Sequence, residues 1–166
     1  MHFPSSARFL QTSAGIAVLA ASLVSAQAAV DPAVTRLGQA VDAYENKDYS
    51  TAIRLLAASG QPAKLRDYVA YYLANAELVT NNGEDAVRNL AHYSADPVSG
   101  SPLTGRLNLL YAKSLLGQPN STPAAALKAR QILESQAPLL PQPDGDFTEA
   151  QAMEATGFAR MAAVNY

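Results

Sequence analysis

Glu45-Asn46-Lys47-Asp48-Tyr49-Ser50-Thr51-Ala52-Ile53 joins a chain break to an aromatic residue and then to a small alanine flanked by larger side chains. The phrase around that alanine recurs. It reads Ala52-Ile53-Arg54-Leu55-Leu56, then Ala86-Val87-Arg88-Asn89-Leu90, Ala129-Arg130-Gln131-Ile132-Leu133 and Ala162-Ala163-Val164-Asn165-Tyr166. Measured between the alanines, the steps are 34, 43 and 33 residues. The long step holds the loop Ser94 to Pro102 and the stretch Gln118 to Pro123. A small residue at this place lets a neighbouring helix approach closely, while the large flanking side chains fill the groove beside it.

Outward from these phrases, apolar residues recur at helical spacing between Gly, Pro and Asn punctuation. The pattern predicts helices at Ala33–Asn46, Ser50–Ala58, Leu65–Val79, Glu84–Tyr93, Leu103–Leu116, Thr122–Gln136, Asp146–Thr156 and Phe158–Tyr166. No stretch alternates with period two for long enough to suggest a strand. A step of 34 residues is the tetratricopeptide period. One hairpin of this size cannot hide its apolar surface alone, so neighbours must stack. The expected fold is therefore all-α: antiparallel helix hairpins stacked into a tetratricopeptide-like α-solenoid.

The third predicted helix points the same way. Leu65, Val69, Tyr72, Leu73 and Ala76 form one stripe, and Tyr68, Tyr71 and Leu78 a second beside it, with Lys64 and Asn75 among them. That division leaves Asp67, Ala70, Ala74 and Glu77 to face water. An arc so wide implies a helix touched on two sides.

Composition agrees with a folded helical domain: 49% of residues are hydrophobic and 16% charged, cysteine and tryptophan are absent, and alanine and leucine dominate. The net charge of −2 offers no basic patch for phosphates, which argues against a nucleic-acid partner. Without cysteine there is no disulfide framework, thiol nucleophile, thiolate metal site or lipid-bearing cysteine after a leader.

Arg8 is the only charged residue before Asp31, and an apolar run from Ala14 to Val24 follows it, ending in Ala26-Gln27-Ala28. A positive start, a short apolar core and an A-x-A site describe a secretory signal over residues 1–28. The run is too short for the ~20 residues that span a bilayer. The helical domain is expected at 29–166, periplasmic or secreted, with no membrane span once the leader is cleaved.

Catalytic ingredients are scarce. His2 lies in the leader, so His92 is the only other histidine, and its position near a helix end suits a surface or capping role. There is no H-E-x-x-H and no Gly-rich phosphate loop. Asp144-Gly145-Asp146 lacks the spaced ligands of a calcium loop and reads as a turn, with Asp144 or Asp146 capping the next helix. Glu84-Asp85 opposes the positive end of a helix dipole. Neither a catalytic set, a metal site nor a cofactor is expected.

From Tyr44 onwards the chain resembles the N-terminal superhelical region of soluble lytic murein transglycosylases. The repeat phrases carry the resemblance, together with Leu103-Thr104-Gly105-Arg106, Leu140-Pro141-Gln142-Pro143-Asp144-Gly145-Asp146 and the segment Ala150 to Arg160. The resemblance implies an exported protein that cleaves peptidoglycan glycan strands, with its chemistry in a C-terminal domain. That domain carries a glutamate in E-S-x-[FY] and a downstream G-L-M-Q. Here Glu134-Ser135-Gln136-Ala137 has alanine where the aromatic belongs, no G-L-M-Q follows, and Glu134 falls within a predicted helix. Glu134 is therefore not read as catalytic. The chain stops at Tyr166 inside its last repeat phrase, which leads to the expectation of a piece of a longer protein.

The function expected is a non-catalytic scaffold or binding module of a peptidoglycan-processing protein. The alternative is a free-standing periplasmic adaptor for envelope proteins. Exposed aromatic and amide groups are the natural contacts for glycan or peptide, so Tyr68, Tyr71 and Asn75 are the binding candidates, although packing is the ordinary role for such tyrosines.

Overall fold

A computed structural model describes residues 31–58, 60, 62–158 and 162–163. Among these the chain is all-α: α1 (Pro32–Glu45), α2 (Tyr49–Leu56), α3 (Arg66–Val79), α4 (Gly83–Ala95), α5 (Thr104–Leu116), α6 (Pro123–Gln136) and α7 (Asp144–Ala155). Short 3-10 turns at Ala63–Leu65 and Ala137–Leu139 precede α3 and follow α6. The expected leader lies outside the described residues, as does most of the expected helix Phe158–Tyr166. No helix among the described residues is long and apolar enough to cross a membrane.

Local chemistry sets the helix starts. Asp31 accepts the Ala33 N–H at 2.8 Å, and Pro32 occupies the first turn, where its missing N–H is harmless. Between α1 and α2, Lys47 takes a left-handed φ of 63°. Asp48 then caps α2, accepting the Thr51 N–H at 3.1 Å and the Ser50 hydroxyl at 2.9 Å. Thr122 does the same for α6 through the Ala125 N–H at 3.2 Å. Asp144 and Asp146 do not cap α7 from outside it. Pro143 holds that position, and both acids lie in the first turn, where they still oppose the helix dipole. The reason is that α7 begins two residues earlier than the sequence pattern predicts.

Each helix packs on the next, and α1, α3, α5 and α7 also touch in succession. One cluster joins α1, α2 and α3 through Leu37, Leu56, Val69 and Leu73. A larger one runs from α3 to α7 through Ala74, Leu90, Leu107, Tyr111 and Leu133. The repeat alanines sit at the close contacts: Ala52, Ala86 and Ala129 are 0% exposed and Ala162 is 1% exposed.

The face of α3 differs from the expectation. Asp67, Ala70, Ala74 and Glu77 are buried, whereas Tyr68 is exposed and Tyr71 and Asn75 are only half-buried. Two small alanines let α4 and α5 close on that side. The acids at its ends are tied down: Glu77 accepts from the Asn89 amide at 2.7 Å, and Asp67 accepts from the Ser101 hydroxyl. The helix is touched on two sides, as its wide apolar arc implies, but its open face is the tyrosine–asparagine stripe.

Candidate functional site

The open face of α3 carries Tyr68, Tyr71 and Asn75. Asn75 donates its amide N–H to the Tyr71 carbonyl at 2.7 Å, which fixes the side chain and leaves Oδ1 as an acceptor. Tyr71 meets Tyr72 edge-on with ring centroids 5.6 Å apart. Tyr72 meets Tyr44 at 5.2 Å, and Tyr44 meets Tyr49 at 5.4 Å. Four rings therefore link the first turn of α2 to the open face of α3, each edge contact adding about 0.5–1.5 kcal/mol beyond buried area. Burial raises the Tyr44 phenol above its usual value, with Tyr71, Tyr49 and Tyr72 acting in the same direction.

Tyr71 and Asn75 form one wall of a groove of about 320 Å³ whose other walls are Arg106, Leu109, Leu110, Lys113, Pro141 and Asp144. Tyr68 is not part of that lining and stands 39% exposed on the same helix. Lys113 donates to Asp144 at 2.8 Å, tying α5 to the first turn of α7. Both also line a second hollow of about 640 Å³, which Phe147, Gln151 and Glu154 enclose on the far side. The two hollows share this ion pair, and the first of them is a trough across α3, α5 and the start of α7.

Arg106, Lys113 and Asp144 were not singled out from the sequence as binding residues. They lie far from Tyr71 along the chain, and only the packing of alternate helices brings them together. The trough offers a guanidinium, an ammonium, a carboxylate, an amide acceptor and aromatic edges. That chemistry suits holding a ligand.

Elsewhere several titratable groups have structural partners. Glu134 pairs with Arg130 at 2.6 Å within α6, and the Arg130 guanidinium lies 4.5 Å from the Phe158 ring centroid. Burial raises the Glu149 carboxyl, with Glu134 and Asp146 adding to it. Burial also raises Glu77, against the opposing Asn89 hydrogen bond, and one of its carboxylate oxygens has no hydrogen-bond partner. On another side of α3, a hollow of about 370 Å³ between α2, α3 and α4 is lined by Leu56, Leu73, His92 and Tyr93. Arg66 and Asp96 pair at its edge at 2.7 Å, and this hydrogen bond holds the Asp96 carboxyl below its usual range. His92 sits exposed in the last turn of α4. Among the described residues, no group of three or more His, Asp or Glu side chains is placed to hold a metal ion.

Comparison with protein-family models, curated proteins and solved structures finds no match for this chain.

Proposed function

We propose that this chain is a tetratricopeptide-like α-solenoid serving as the non-catalytic binding scaffold of an exported peptidoglycan-processing protein. The trough across α3, α5 and α7 carries the reading, because it gathers Tyr71, Asn75, Arg106 and Lys113 on one face. Successive contacts among α1, α3, α5 and α7 support a stacked arrangement in which those helices line a common surface. The buried alanine of each repeat phrase supports it from the packing side. The resemblance to the superhelical region of lytic murein transglycosylases supplies the polymer, and the secretory pattern of residues 1–28 supplies the compartment.

Co-sedimentation of the purified chain with isolated sacculi tests the reading. Retention is expected, and it should fall when Tyr71→Ala and Asn75→Ala are combined while the helical CD signal persists. Unchanged retention of that double variant would remove both residues from the site. Capture of a discrete envelope protein, with no retention on sacculi, would replace this reading with that of a free-standing adaptor.

A further inference from the structure

We propose that the groove between α3 and α5 takes the peptide part of the wall polymer, with Arg106 binding a ligand carboxylate. The inference rests on the peptidoglycan reading above and narrows it from polymer to peptide.

Arg106 carries the argument. Its exposed guanidinium lines the groove, and among the described residues it has no carboxylate partner, unlike Arg66, Arg88 and Arg130. An arginine fork is built for bidentate contact with a carboxylate. Lys113 lies two helical turns further along α5, about 10 Å away by helix rise. Asp144 fixes that ammonium at 2.8 Å while leaving it 40% exposed. The groove is therefore locally positive in a chain whose net charge is −2. Between the cations lie Leu109 and Leu110, which suit the aliphatic parts of a peptide, and Asn75 Oδ1 is placed to accept a peptide N–H.

In a peptide-bearing glycan strand the lactyl carboxyl of each muramic sugar is tied up as the amide to its peptide, so the sugars offer hydroxyls and acetamido groups and make no use of an unneutralised guanidinium. Wall peptides bring free carboxylates. Charge complementarity thus selects the peptide.

Isothermal titration calorimetry of the full chain tests this with three probes: a wall tetrapeptide with free carboxylates, the same peptide with its carboxylates amidated, and a wall disaccharide whose lactyl carboxyl is capped as a simple amide. The free-carboxylate peptide should bind at least about tenfold tighter than its amide, as expected for a charge-assisted contact. Arg106→Gln should abolish that margin. Arg54→Gln, on the exposed face of α2 outside the groove, should keep it. Unchanged melting of Arg106→Gln checks the fold. Equal binding by Arg106→Gln and wild type, disaccharide binding as strong as that of the tetrapeptide, or no peptide binding would overturn the inference. Retention on whole sacculi without a carboxylate preference would defeat this inference alone. Loss of sacculus retention with carboxylate-dependent peptide binding intact would defeat only the wider reading.

Discussion

Replacing glycine by alanine should have opposite effects in α5 and α1. A methyl group built on Gly105 would lie 2.6 Å from the Leu139 carbonyl carbon and closer still to its oxygen. That neighbour is backbone, in the 3-10 turn after α6, so no side chain can swing aside. Ordinary carbon contacts begin at ~3.5 Å, and with the oxygen the nearer atom α5 and the turn must separate by more than ~1 Å. Overpacking of this kind destabilises by roughly 1–3 kcal/mol, and a rigid backbone contact belongs at the upper end. The better helix propensity of alanine returns at most about 1 kcal/mol. Gly105→Ala should therefore lose about 2 kcal/mol, or roughly 5–10 °C in Tm for a domain of this size. Gly38 in α1 has no atom within 4 Å of such a methyl. There the same substitution should gain about 0.5–1 kcal/mol. Urea unfolding followed by far-UV CD measures both. Gly105→Ala as stable as the wild type would refute the close approach of α5 to the α6–α7 connection.

Other expectations concern the interior and the caps. Glu77 is raised by burial, so folding favours its protonated form, and its ionisation should erode stability as pH rises from the ordinary 4.5 towards the folded value. Glu77→Gln should therefore be the more stable form at neutral pH, with an advantage that shrinks on acidification. A pH-independent difference in urea midpoints would reject that sign. Ala129→Leu should lose about 1–3 kcal/mol in thermal melts because Ala129 is 0% exposed. Leu127→Ala, at a position 49% exposed on the same helix, should shift stability by about 0.5 kcal/mol or less. Thr122→Ala should cost about 1 kcal/mol through its lost cap, and Thr122→Ser should restore most of it.

Helix positions were legible in the sequence because each helix carries a strong local pattern between breaks, and the recurring alanines marked fully buried positions. The orientation of α3 was not. Counting Asp67 and Glu77 as outward-facing ignored the option of satisfying a buried acid with Ser101 or Asn89, residues from other segments. Treating Ala70 and Ala74 as water-facing missed that small side chains mark where helices come closest. Tyr68, Tyr71 and Asn75 do share the open face, yet only Tyr71 and Asn75 line the groove. Arg106 and the Lys113–Asp144 pair were invisible as site residues because their proximity depends on how α3, α5 and α7 pack.

The trough can be located directly by NMR, titrating soluble wall tetrapeptide into the isotope-labelled chain and mapping amide shift changes. Changes are predicted to concentrate on Tyr71, Asn75, Arg106, Leu110, Lys113 and Asp144. Changes centred on Leu56, His92 and Tyr93 in the hollow between α2, α3 and α4, or none at saturating peptide, would contradict the account.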